Sequence, residues 1–278
     1  MQLATLLRSA TVTASLAAGP ASAASLSAQY AISLAGLPIG TADLSASLDE
    51  NYKMDIQARL TGLVGAVTGG SGGATAGGLL TGNRPVPTSY AVTSRSSSDQ
   101  RTVRVGMARG NVVAVHIAPP IEEKEDRVPV KEVHKRSVLD PVSALVMPSF
   151  GRGGPLDPSV CNRTLPVFDG AARFDVVLSY AETRQVEKAG YAGPVVVCNA
   201  RYVPVAGHRP GRPGTKFMED NRDISVWLAP VEGTRILMPL RISVRTMMGT
   251  SVIEATRWTA DGGGKTIPVS IRRRGRAQ

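Results

Sequence analysis

The sequence predicts a mainly β protein: a strongly curved antiparallel sheet, either an open barrel or a β-spiral, with one short helix. Three observations carry this. Apolar and polar residues alternate with period two along most of the chain. Short turn signals separate the alternating runs, and the 29 glycines and 19 prolines favour many such turns. Ten to twelve strands in one flat sheet would expose long edges, which strong curvature hides.

The first strand spans 26–35, where Leu26, Ala28, Tyr30, Ile32 and Leu34 alternate with Ser27, Gln29, Ala31, Ser33 and Ala35. Residues 36–40 reverse the chain into a second run carried by Ala42, Leu44, Ala46 and Leu48. Asp49, Glu50 and Asn51 turn it again into a third, with Tyr52, Met54, Ile56, Ala58 and Leu60 on one face. Three strands joined by short turns, each wet on one face and dry on the other, make an antiparallel meander. Residues 61–83 hold nine glycines. Ordering so many costs too much backbone entropy for a firm helix, so the stretch reads as a mobile loop or a weak helical flap.

Strands resume at 85–95, 101–108 and 111–117. The mixed-charge stretch 122–136 reads as a solvated loop. Residues 140–146 give the single helix: Asp140 caps it, Pro141 takes the first helical position, Val142, Leu145 and Val146 form its apolar side, and Pro148 ends it. Asp169-Gly170 marks a hairpin turn between 165–168 and 172–180. Further strands fall at 195–205, 224–228, 240–244 and 251–258, with a loop at 207–214.

Residues 1–23 read as a secretory signal peptide, with Arg8 as the positive charge, a short apolar run, and Ala21-Ser22-Ala23 supplying the small residues a signal peptidase needs. Cleavage after Ala23 leaves one β-rich domain over 24–260 and a basic, disordered tail over 261–278. No later run of about 18 apolar residues supports a transmembrane segment. A hydrophobic share of 42% with 19% charged residues is that of an ordinary globular chain. The formal net charge of +10 favours anionic partners, and export makes nucleic acid the least suitable of them.

Export also sets the use of Cys161 and Cys198. Two cysteines in an oxidising compartment predict one disulfide, and closing a loop of 37 residues is worth roughly 3–4 kcal/mol. Zinc would need close ligand pairs, which this spacing lacks; a nucleophilic thiol would need a histidine that the sequence does not place. His116, His134 and His208 show no metal-ligand spacing, so neither a metal nor a cofactor is expected, and no nucleophile elbow is present. Trp227, Trp258, Tyr180 and Tyr202 are candidate ligand-facing aromatics near the C-terminal strands, with core filling as the alternative. Arg241 and Arg245 form a candidate basic stripe, with a solvated strand face as the alternative.

Several segments in this order carry a family resemblance. They are Tyr30-Ala31-Ile32-Ser33-Leu34-Ala35-Gly36-Leu37-Pro38-Ile39-Gly40, Asp140-Pro141-Val142-Ser143-Ala144-Leu145 and Phe168-Asp169-Gly170-Ala171-Ala172-Arg173-Phe174. Val197-Cys198, Trp227-Leu228, Met238-Pro239-Leu240-Arg241 and Gly249 complete the set. Over about 28–258 the chain resembles the exported bacterial proteins grouped as domain of unknown function 3108. The resemblance implies a periplasmic, β-rich protein and brings no catalytic residues. A looser likeness in layout is to envelope-integrity proteins that form a β-spiral with one disulfide, an analogy of fold and not of function.

The functional expectation is an exported, non-catalytic protein associated with the cell envelope. It would bind an apolar or anionic component, such as a lipid or glycan, or a partner protein. One alternative is a hydrolase of an envelope polymer whose carboxylates are brought together by the fold. Another is a passive structural module.

Overall fold

The computed structural model describes residues 24–62, 65, 69–81, 84–150, 154–188 and 190–262. The expected signal peptide, and the expected tail from residue 263 on, lie outside them. The N-terminal strands are β1 (Ser25–Leu34), β2 (Leu37–Ser47), β3 (Asn51–Leu60), β4 (Ser71–Thr81), β5 (Arg84–Arg95), β6 (Gln100–Ala108) and β7 (Asn111–Ala118). The two-residue β8 (Met147–Pro148) precedes β9 (Thr164–Phe168), β10 (Arg173–Lys188) and β11 (Tyr191–Ala206). After the helix α1 (Pro213–Asp220) come β12 (Ile224–Pro230), β13 (Ile236–Thr246) and β14 (Gly249–Asp261).

All pairs between these strands are antiparallel. The sheet order is β7-β6-β5-β4-β3-β2-β1-β14-β13-β12-β11-β10-β9, with β8 on β13. Two meanders, β1 to β7 and β9 to β14, are thus joined side by side where the first strand meets the last. The end strands β7 and β9 do not pair with each other, so the sheet is not closed.

The alternation of β1 works as its sequence requires. Leu26, Ala28 and Tyr30 are buried, while Ser27, Gln29 and Ala31 are exposed. Ala35 and Gly36, with φ of 49° and 82°, form the two-residue turn into β2. Two adjacent positive φ values match the right-handed twist of the strands they connect. β11 departs from alternation for a reason visible in its run of valines. Val195 and Val197 enter one apolar cluster with Leu26, Tyr52, Val105 and Met238. Val196, Cys198 and Ala200 enter a second with Val160, Leu178, Leu228 and Leu237. A strand buried on both faces reads as a continuous apolar run.

Four sequence expectations are corrected. The glycine-rich stretch is not all loop: Ser71–Thr81 is β4, paired along its length to β3 and β5. Glycine is needed there because the neighbours come so close. A Cβ on Gly78 would lie 2.3 Å from the Val86 carbonyl oxygen, and one on Gly72 would lie 2.9 Å from that of Thr93. Two flanking strands that satisfy the backbone offset the entropy that argues for disorder. The helix expected over 140–146 is a single 3-10 turn at Ser143–Leu145. Its N-cap is Val142, and Asp140 stands two residues earlier, its Oδ1 accepting from the Val142 and Ser143 amides at 3.0 and 2.8 Å. The chain cannot continue as a helix because Met147 and Pro148 extend to pair with Leu237 and Ile236. A regular helix described along its whole length lies instead at α1, partly inside the expected 207–214 loop, with Pro213 in its first turn. Lastly, there are more strands than ten to twelve, because β4 hides in the glycine-rich stretch and β8 is too short to signal itself.

The free ends of the sheet are linked by a strap at 137–140. The Val138 amide donates to the Gly110 carbonyl at the β6–β7 turn, and the Leu139 amide donates to the Pro166 carbonyl on β9, both at 2.8 Å. The Phe168 amide donates back to the Leu139 carbonyl, also at 2.8 Å. A Cβ on Gly170 would strike the Val103 side chain, so the β9–β10 turn packs directly on β6.

Candidate functional site

Where the strap crosses between the sheet ends, it floors a cleft of about 530 Å³. Val86 of β5, Val138 and Leu139 of the strap, and Leu165 of β9 supply its apolar lining. Arg84, Arg109 and Arg163 stand around it, and no carboxylate is among the described residues that line it. Arg109 and Gly110 have φ of 53° and 76°, forming the tight β6–β7 turn that places this guanidinium. Arg163 follows the 3-10 turn Pro158–Cys161. That turn is fixed to β11 by the Cys161–Cys198 disulfide, whose Cα atoms are 5.4 Å apart.

Among the described residues none of the three arginines makes an ion pair. The Arg163 guanidinium donates to the Pro148 carbonyl at 3.0 Å and lies 4.7 Å from the Phe150 ring centroid. Burial pushes Arg163 below its ordinary value; a guanidinium still stays charged in a protein. A desolvated guanidinium without a counter-ion is the partner a planar or tetrahedral anion fits.

A second hollow of about 200 Å³ adjoins the cleft, lined by Leu145, Leu165, Val176, Val226, Leu228 and Ile242 among others. Leu165 lines both spaces. A charged mouth therefore stands next to an apolar recess, with one leucine at the junction.

The aromatic and basic residues singled out in the sequence do not converge on this cleft. Trp227 and Arg241 do meet: the Arg241 guanidinium lies 5.2 Å from the indole centroid, with Arg184 at 5.1 Å and Lys188 at 6.0 Å. Glu254 binds Lys188 at 2.9 Å and Arg241 at 2.8 Å. This cluster holds the β10–β11 hairpin against β12, β13 and β14, and Glu254 satisfies two of its three cations. Trp258 packs edge-on against Tyr191 at 5.9 Å in the same region. Tyr202 packs at a tilt of 41° against Phe174, ring centroids 5.2 Å apart, and Phe174 lines the smaller hollow. Tyr180 is exposed, its hydroxyl donating to Thr183 at 3.1 Å, and Arg245 is exposed near the end of β13. Arg84, Arg109 and Arg163 give no sequence signal because they are far apart along the chain. Only the place of Arg163, two residues beyond Cys161, ties one of them to the disulfide.

Asp140 is the fully buried carboxylate among the described residues. Burial raises it above the usual carboxylate range, against the hydrogen bonds from Ser143 and the backbone. Its Oδ2 accepts from the Ser143 hydroxyl, which also contacts the Tyr52 hydroxyl. Among the described residues no group of three or more His, Cys, Asp or Glu is placed to hold a metal, and no helix is long and apolar enough to cross a membrane.

The model of the family described as "Protein of unknown function (DUF3108)" matches residues 29–256. The chain belongs to this family. The DUF3108 match spans the sheet from β1 to β14, and so includes the strap and all three cleft arginines. No curated protein matches this DUF3108 chain. A solved β-barrel-like protein of domain of unknown function DUF1849 from Brucella abortus is similar at 10% identity and a TM-score of 0.51. That match covers 86% of this chain and 99% of the other. A structure described as a "putative lipoprotein" from Parabacteroides distasonis aligns at 8% identity and a TM-score of 0.33, covering 86% and 97% of the two chains. The Brucella likeness supports a β-barrel-like fold for this DUF3108 chain and says nothing of a ligand.

Proposed function

We propose that this DUF3108 protein is an exported, non-catalytic envelope protein whose sheet curves into an open barrel and whose strap-floored cleft binds an anionic amphiphile. The observation that carries the reading is the set of three arginines, without ion pairs among the described residues, around an apolar cleft. The arginines would hold the anionic head, and the apolar hollow past Leu165 would take the chain. Burying both ends of one molecule in adjoining charged and apolar spaces is how a small-ligand site gains orientation as well as affinity. The leader expected at 1–23 and the disulfide support the periplasm as the compartment.

The hydrolase reading has less to support it. Asp140, buried and spent on the Val142 and Ser143 amides and the Ser143 hydroxyl, has no second carboxylate beside it in the described core. A passive module would leave the three arginines without a task.

The test is a titration of the purified chain with a fluorescent lysophosphatidylglycerol and with its zwitterionic phosphocholine counterpart. The anionic probe should bind saturably and more tightly. Arg84→Glu with Arg109→Glu, both at exposed positions, should weaken it at least tenfold. Equal affinity for both probes, or an unchanged affinity in the charge-reversed variant, sinks the proposal.

A further inference from the structure

The β1–β2 and β13–β14 turns lie side by side at one end of the sheet, because β1 pairs with both β2 and β14. The Ala35 amide donates to the Thr250 carbonyl at 2.9 Å, and a Cβ on Gly249 would lie 2.8 Å from that of Ala35. On this double tip stand Leu37, Met247 and Met248, exposed at 69%, 63% and 76%. Water-exposed apolar residues are ordinary when scattered singly, but three on two touching turns form a patch.

The strand segments that lead into both turns are uncharged too. Residues 33–40 and 246–251 contain no charged side chain, and β1 contains none at all. Charge begins behind the tip, with exposed Arg245 two residues before Met247. Exposed Arg222 is next to Asn221, whose side-chain amide donates to the Arg245 carbonyl at 2.9 Å. Asp223 is level with Arg245, whose amide donates to its carbonyl at 2.9 Å, and Glu219 and Asp220 end α1 just before Asn221. Two strand residues span about 7 Å. An apolar element resting at a bilayer surface sinks about 5–10 Å into the boundary between head groups and acyl chains. With Leu37, Met247 and Met248 at that depth, Arg245 and Arg222 stand at the level of lipid phosphates.

We propose that this double-turn tip inserts into the surface of an anionic lipid bilayer, with Leu37, Met247 and Met248 as the wedge and Arg245 and Arg222 as its phosphate-facing collar. Rigid hairpins suit this use, because the turn backbones are already ordered by strand pairing and little conformational entropy is lost on insertion. The surface is separate from the arginine-rimmed cleft and does not depend on that reading.

Exposed methionines give a direct probe, since a lipid-covered thioether is shielded from aqueous peroxide. The full chain is treated with hydrogen peroxide alone and with phosphatidylglycerol/phosphatidylethanolamine vesicles, and sulfoxides are located by peptide mass spectrometry. Vesicles should slow oxidation of Met247 and Met248 at least fivefold. Rates at Met247 and Met248 that ignore the vesicles overturn the proposal. In parallel, the variant Leu37→Asp, Met247→Asp, Met248→Asp, with wild-type circular dichroism, should partition at least tenfold less onto the same vesicles. Val113→Asp, a control on exposed β7, should partition as wild type. Equal losses in both variants, or none in the triple variant, also overturn it.

Discussion

The Tyr52 hydroxyl on β3 lies 2.6 Å from the Ser143 hydroxyl, which donates in turn to the buried Asp140 carboxylate. Ninety-one residues separate the two hydroxyls in sequence, so this contact fixes the segment after the strap to the N-terminal meander. Tyr52→Phe removes one end of the chain of bonds and leaves Ser143 with Asp140, a loss of about 1 kcal/mol. Asp140→Ala takes the acceptor from the buried Val142 and Ser143 amides and leaves the Ser143 hydroxyl with Tyr52 alone, and should cost about 2–4 kcal/mol. Urea unfolding midpoints of the two variants give the comparison.

The same carboxylate makes stability depend on pH. Burial raises Asp140 in the folded state above its value in the unfolded chain. Between those two values the folded state holds a proton that the unfolded state has released, so Asp140's contribution falls as pH rises through that window. Above it, the carboxylate is charged in both states and the penalty is complete. Asp140→Asn should remove this slope, so the stability of wild type relative to the variant should improve on acidification. Paired urea curves from neutral to acidic pH check the sign.

The disulfide holds Cys161, at the end of a 3-10 turn, to the centre of β11. Cys161→Ala with Cys198→Ala should lower unfolding free energy by about 3–4 kcal/mol, the value of a closed loop of 37 residues. The variant should also weaken binding of the anionic probe, because Arg163 and Leu165 follow Cys161 directly. Calorimetry and the fluorescence titration read the two effects separately.

Adjacent glycines on β4 should respond in opposite ways. A Cβ on Gly78 meets the Val86 carbonyl oxygen at 2.3 Å and the Tyr52 hydroxyl at 2.8 Å, whereas one on Gly77 meets nothing nearer than 3.5 Å. Gly78→Ala should destabilise by about 2 kcal/mol or more, through forced separation of strands. Gly77→Ala should be neutral or stabilise by up to about 1 kcal/mol, by restricting the unfolded chain. Thermal unfolding of the two single variants decides it.

Glu254 bridges Lys188 and Arg241 beneath the β10–β11 hairpin. All three side chains are partly solvated, so Glu254→Gln should change global stability by no more than about 1 kcal/mol. Its effect should instead be local, with faster amide hydrogen exchange over 183–195 and no change in β1 to β3.

Alternation makes most of the strands legible in the sequence, because one face of β1, β2, β3 and β6 is wet. Local pattern fails where tertiary contacts decide the outcome. β4 looks too rich in glycine to order, and the reason for its glycines is the position of Val86 and Thr93 on the next strand. Asp140 reads as a sound cap, yet Met147 leaves the helical path to pair with Leu237. Cys161 and Cys198 are legible as a pair from their number and compartment alone. The cleft is hidden because Arg84, Arg109 and Arg163 come from three distant segments, and only the strap at 137–140 makes them neighbours. Trp227 and Arg241 each stand out in the sequence, but nothing in it announces that they meet, or that Glu254 neutralises the arginine.

The pairing of β1 with β14 has a consequence for the order in which the molecule can be made. β1 can find β2 as soon as both have been made, but its other edge stays open until β14 follows. During that interval the β1–β7 meander exposes the unfilled backbone donors and acceptors of β1 beside Leu26, Ala28 and Tyr30, a template for any passing strand. Contacts so distant in sequence also form slowly. A nascent-chain holdase that covers β1 until β14 arrives would therefore raise the yield of this protein by a route that stabilising its finished core does not touch.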